Sequence, residues 1–152
     1  GFGASLDLGA LDGSNGFRLQ STLTGSAAES LHVISGGDVN GDGFDDVTVT
    51  VFGATPGSAY YSTSAYVLFG KADSFAATVD FAAVDGVDGT RVHGAIAVEH
   101  QNSEVATVIG DLDADGYEDL ALLGAVESGA STFSGVTSVI FGHGGAYPAA
   151  QP

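Results

Sequence analysis

The chain of 152 residues is long enough for one domain, or for a few small repeats that share a core. Its 19 acidic residues face only Arg18, Lys71 and Arg91, a formal charge of −16 that excludes nucleic acid and anionic membrane surfaces as natural partners. Cysteine is absent, which excludes disulfides and thiolate metal sites, and the short apolar runs exclude a hydrophobic membrane span.

The first expected strand is Phe17-Arg18-Leu19-Gln20, and residues 31–34 supply the second. An acidic loop follows, Asp38-Val39-Asn40-Gly41-Asp42-Gly43-Phe44-Asp45-Asp46. It leads into Val47-Thr48-Val49-Thr50-Val51-Phe52, whose alternation of β-branched apolar and polar residues is that of a half-buried strand. The polar, aromatic stretch with Tyr60, Tyr61 and Ser62 to Ser64 reads as a surface loop before a strand at residues 65–69. Ala82-Ala83 is the one place that favours a helical turn. Strands are then expected at residues 90–93, 105–109, 119–123 and 137–141, around a second acidic loop, Asp111-Leu112-Asp113-Ala114-Asp115-Gly116-Tyr117-Glu118-Asp119.

This second set repeats the first. An offset of 73 residues places Leu6-Asp7-Leu8 on Val79-Asp80-Phe81, Asp12-Gly13 on Asp85-Gly86, Arg18 on Arg91, Asp38 on Asp111 and Gly43 on Gly116. After small deletions, Gly53-Ala54 matches Gly124-Ala125 and Phe69-Gly70 matches Phe141-Gly142. The organisation is therefore residues 1–20 as the end of a preceding repeat, 21–93 as one repeat, 94–142 as a second that lacks its own fourth strand, and 143–152 as a tail. Without a methionine, residue 1 is expected to begin a mature product or a piece of a longer chain. The expected fold is all-β: two four-stranded antiparallel units of the kind that form propeller blades.

The acidic loops have the spacing of a calcium site. Side-chain oxygens occupy positions 1, 3, 5 and 9, from Asp38, Asn40, Asp42 and Asp46 in one loop and Asp111, Asp113, Asp115 and Asp119 in the other. Glycine at position 6 permits a sharp bend, and position 7, Phe44 or Tyr117, offers its carbonyl while its ring packs outward. Calcium takes six to eight oxygens in a flexible shell; magnesium demands a stricter octahedron, and zinc prefers nitrogen or sulfur. An EF-hand is excluded because its bidentate glutamate position holds Val49 and Leu122, and because a strand follows instead of a helix. The same points exclude a dockerin-like pair. With an aspartate in place of Asn40, the second loop is expected to bind calcium more tightly.

The order Gly37-Asp38-Val39-Asn40-Gly41-Asp42-Gly43-Phe44-Asp45-Asp46, then Gly53-Ala54, then Tyr66-Val67-Leu68-Phe69-Gly70 resembles an FG-GAP repeat. Such repeats build the β-propeller of integrin α subunits and recur in bacterial surface proteins. The resemblance covers nearly the whole chain as two units. It implies calcium in the loop joining the first two strands of each four-stranded blade, and an exported, extracellular or cell-surface protein. This sequence departs from the pattern where Glu29-Ser30 and Asn102-Ser103 replace the Phe-Gly pair ahead of the loop. Two units are also fewer than the four to eight blades with which propellers typically close. The unmatched strand at residues 17–20 is expected either to complete the last unit of its own chain or to add to a neighbouring chain, unless the chain belongs to a longer propeller.

Arg18 and Arg91 share a repeat position and are expected to pair with Asp12 or Asp7, and with Asp85 or Asp80, respectively. His32, His93, His100 and His143 do not recur in register, so a zinc site is not expected. No nucleophile elbow, Walker loop or zincin motif is present, and no enzymatic activity is expected. The function implied is a calcium-stabilised structural or adhesive module, a scaffold or assembly subunit. The alternative is a module that recognises a protein or glycan through loops away from the metal.

Overall fold

Runs of alternating β-branched residues decide the sheets. The computed structural model describes residues 5–20, 28–54, 61–98, 106–127, 133–147 and 150–151. The strands are β1 (Arg18–Gln20), β2 (Ala28–Ser35), β3 (Val47–Ala54), β4 (Tyr61–Leu68), β5 (Thr78–Asp80), β6 (Gly89–Val98), β7 (Ala106–Gly110), β8 (Asp119–Glu127), β9 (Phe133–Ile140) and β10 (Ala150–Gln151). All eight expected strands are among them. The described residues hold no α-helix, only 3-10 turns at Leu8–Ala10 and Phe81–Ala83, and so no helix that is long and apolar enough to cross a membrane.

The first repeat forms an antiparallel meander, β2-β3-β4-β6, with Val49 of β3 opposite Val33 of β2 and Tyr66 of β4. β10 adds to its edge in parallel, aligning Ala150 with Arg91. The second repeat forms the three-stranded sheet β7-β8-β9. β1 does not complete that sheet within the chain, which corrects one of the two expectations for residues 17–20. It pairs in parallel with β5, with Arg18 beside Thr78 and Gln20 beside Asp80.

The sheets stack in layers. Between the first and second sheets lies a core of Val39, Ala65, Val67, Phe69, Val92, Ala106, Leu120 and Tyr147. On the opposite face of the first sheet, Val49, Val51, Tyr66 and Phe81 pack with Leu19 of β1. The first sheet is thus covered on both faces, so β4 is buried from Ser64 onwards although its side chains alternate between the two cores. Removing this apolar surface from water stabilises the stack by about 25 cal/mol per Å².

The repeat extends to turns that composition alone does not reveal. The two 3-10 turns lie 73 residues apart (81 − 8). Gly13 and Gly86 adopt φ of 94° and 93°, in turns that each close with a 2.9 Å hydrogen bond to the carbonyl three residues on. A side chain at Gly13 would collide with the Phe75 backbone as well as strain the turn. Two segments differ from expectation. Tyr61 to Ser64 belong to β4, because pairing with β3 continues to Ala54 opposite Tyr61. Residues 143–152 are more than a tail, since they carry the core residue Tyr147 and β10.

Candidate metal centre

Both acidic loops join the first two strands of their sheets, β2 to β3 and β7 to β8. Each curls around its first aspartate. Asp38 Oδ1 and Oδ2 accept from the backbone N–H groups of Asp42 and Gly43, at 2.9 and 2.8 Å. Asp111 does the same with Asp115 and Gly116, at 3.0 and 2.9 Å. The fifth position then fixes the seventh: Asp42 Oδ1 accepts from Phe44 N and Asp115 Oδ1 from Tyr117 N, both at 2.9 Å. Left-handed backbone at positions 4 and 6 makes the curl possible, with φ of 74° and 90° at Gly41 and Gly43, and 63° and 95° at Ala114 and Gly116.

Ala114 is the only non-glycine residue with positive φ among the described residues, and its Cβ meets backbone in that region. Ala114→Gly is expected to stabilise the chain by about 0.5–1 kcal/mol, net of the entropy glycine adds to the unfolded state, as read by urea unfolding with an unchanged slope.

In the second loop, carboxylate oxygens of Asp111, Asp113 and Asp115 lie within 4.8 Å of one another, and all three residues are exposed. Oxygens bound to one calcium at 2.3–2.6 Å can be at most about 5 Å apart, so this cluster fits the shell of such an ion. The Asp113 carboxyl is held above the usual carboxylate range by desolvation and by Asp115, Asp119 and Asp111. In the first loop Asn40 takes that place; its Oδ1 accepts from Asp42 N and its Nδ2 donates to Asp42 Oδ2, both at 3.0 Å. An amide there exchanges a repulsion for a hydrogen bond.

Position 9 is built differently from positions 1, 3 and 5. Asp46 and Asp119 are buried, and each spans two backbone N–H groups. Asp46 accepts from Val39 and Gly70, both at 2.9 Å, and Asp119 from Leu112 and Gly142, at 2.7 and 2.9 Å. Each carboxylate therefore ties its own loop to the Phe-Gly pair that follows the third strand, and retains lone pairs for a metal. Burial pushes the Asp46 carboxyl up to about 6 against its two N–H donors, and the nearby Asp42 and Asp38 charges push the same way. The sequence pattern marks positions 46 and 119 as oxygen donors, and Gly70 and Gly142 as repeat landmarks, but gives no sign that the two are bonded.

A second feature absent from the pattern is a grip on the first loop by the second repeat and the segment that follows it. Glu118 N and His143 N donate to the carbonyls of Asp38 and Val39, at 3.1 and 3.2 Å. Tyr147 Oη donates to Val39 O at 3.0 Å and accepts from His143 N at 2.9 Å. The Tyr117 ring lies so close over Gly41 that a Cβ there would overlap it. Its ring packs outward from its own loop, as expected, and onto the neighbouring one.

Several charged residues outside the loops form structural contacts. Arg91 lies over the Tyr66 ring and donates to Ser64 Oγ at 3.1 Å, whereas Asp85 accepts from Val87 N inside its own turn. Lys71 pairs with Asp88 at 3.3 Å. His143 stacks on Tyr147, His32 is exposed on β2, His93 lies on β6, and His100 falls outside the described residues.

No known protein family matches the chain, and comparison with curated proteins and with solved structures returns no match either.

Proposed function

We propose that residues 38–46 and 111–119 are two calcium loops, and that the chain is a non-enzymatic, extracellular structural module of FG-GAP type. The supporting observations are that both loops curl around their first aspartate through the same backbone hydrogen bonds at the same positions, and that in the second the Asp111, Asp113 and Asp115 carboxylates come within 4.8 Å of one another. Asp38, Asn40 and Asp42 would hold one ion, and Asp111, Asp113 and Asp115 the other, with Asp46 and Asp119 and the carbonyls of Phe44 and Tyr117 completing each shell. The metal would offset the repulsion of carboxylates that the fold forces together, and so hold the first two strands of each sheet in register. It supplies cohesion and performs no reaction, which agrees with a role as scaffold or adhesive subunit.

Calorimetry tests the assignment. Wild type is expected to take up two calcium ions, with dissociation constants of about 10⁻⁴ to 10⁻³ M and the second loop the tighter. Asp42→Ala and Asp115→Ala should each take up one. At 10 mM calcium, each lost site would forfeit about 1.4–2.7 kcal/mol of stabilisation by mass action. Unchanged stoichiometry in either variant would contradict the proposal.

A further inference from the structure

The two ends of the layered stack are complementary to each other. In the first repeat, β4 is flanked by β6, and β6 in turn by the parallel strand β10. The counterpart of β4 in the second repeat is β9, and no described strand pairs with its outer edge. The counterparts of β6 and β10 are β1 and β5, which pair in parallel in the equivalent register: Arg18 with Thr78, as Arg91 with Ala150. No described strand pairs with the other edge of β1. The chain thus carries a three-stranded sheet missing two strands, and the two strands that would complete it.

Burial shows the same deficit. Val39, Val67 and Phe69 are 3%, 1% and 6% exposed, because the second repeat covers them. Their counterparts Leu112, Val139 and Phe141 are 63%, 40% and 50% exposed. At the opposite end of the stack, the counterparts of the covering residues Ala106 and Tyr117 are Val33 and Phe44, and both are exposed. One apolar face and its repeat-equivalent complement therefore stand at opposite ends of one molecule.

We infer that a second copy of this chain docks head to tail, its β1–β5 pair extending the open sheet to β7-β8-β9-β1-β5 and its first repeat covering Leu112, Val139 and Phe141. The register follows from the β4–β6 pairing of Tyr66 with Arg91 and Val67 with Thr90. Ser138 would lie opposite Arg18 of the second copy, and Val139 opposite Phe17. The occupant is a second copy because the contact it would make is the one the two repeats already make within the chain. Such an interface is heterologous and closes when the rotation per copy allows; about four to eight blades at two blades per chain means two to four copies. One position departs from the template. Ala114 places a methyl where Gly41 leaves room for the Tyr117 ring, so Phe44 of the second copy must tilt, and Ala114→Gly should tighten the contact. The negative charge of each copy opposes docking, and added salt should favour it. This inference deepens the scaffold reading, but it rests on the strand correspondence and holds whether or not the loops take calcium.

The test uses residues 1–152 in calcium and, separately, in chelator. Light scattering behind a sizing column is expected to give a mass of two to four chains in calcium for wild type, and the mass of one chain for Val139→Asp, which leaves a charge facing solvent in the free chain but would bury it on docking. The absence of native cysteine permits a second reading: an oxidised mixture of Arg18→Cys and Ser138→Cys chains should form a disulfide-linked pair, which neither variant forms alone. A wild type of one-chain mass in both buffers, or an assembly in which this pair never cross-links, would overturn the inference. Should Val139→Asp fail to fold, the cysteine pair decides. An assembly that cross-links but binds no calcium would sink the metal proposal and leave this one standing.

Discussion

Asp119→Ala is expected to destabilise the chain by about 3 kcal/mol, and Asp46→Ala by less, with or without calcium. Each carboxylate is the acceptor for two backbone N–H groups, and a buried group that loses its partner costs about 1–3 kcal/mol. For Asp46, relief of the buried charge offsets part of this loss; two orphaned amides still outweigh it. Asn at either position keeps one acceptor and should recover about half of the loss. Denaturant unfolding in chelator checks this, since it separates the structural role of position 9 from metal binding. Stability of Asp119→Ala within about 0.5 kcal/mol of wild type, the range of ordinary surface substitutions, would show that the clamp is dispensable.

The second large effect is an opposite response to acid with and without calcium. Burial raises the Asp46 carboxyl of the ion-free folded chain to about 6, against the usual 3.8. The folded state therefore binds a proton more tightly than the unfolded state. Its stability should rise as pH falls through 6, and the gain is complete near pH 4, for a total of about 3 kcal/mol. Asp113, also raised, acts in the same direction. Asp12, held below its usual value chiefly by the Ser14 hydroxyl, contributes only below this window. Calcium needs the same carboxylates ionised, so protons compete with it. The difference in Tm between calcium and chelator should shrink steadily from pH 7 to pH 5. A constant difference across that range would separate the metal from this carboxylate cluster.

The sequence made much of the fold legible, and its failures have physical causes. β3 and β8 were visible because Val47 to Phe52 and Leu120 to Leu123 carry a sheet's pattern over several residues. The repeat offset did as much again, since it located weaker strands such as β6 by their partners. β5 and β10 were missed because two or three residues cannot show a period, and their parallel pairing depends on segments about 60 residues away (78 − 18). At the loops, positions 1, 3 and 5 announced themselves by spacing. The double use of Asp46 and Asp119 did not, because a buried acceptor and a metal ligand call for the same residue. Leu112 looked equivalent to Val39 in sequence; only the stack shows that one is covered and the other is not.

The grip of Glu118, His143 and Tyr147 on the Asp38 and Val39 carbonyls makes the two loops unequal in how readily they fray. In a linear array, each unit owes part of its cohesion to the next, and the terminal unit lacks that nearest-neighbour term. In the undocked Val139→Asp chain, amide hydrogen exchange should register this as slow exchange at Val39 and Asp46 and faster exchange at Leu112 and Asp119, by way of partial openings that spare the rest of the chain.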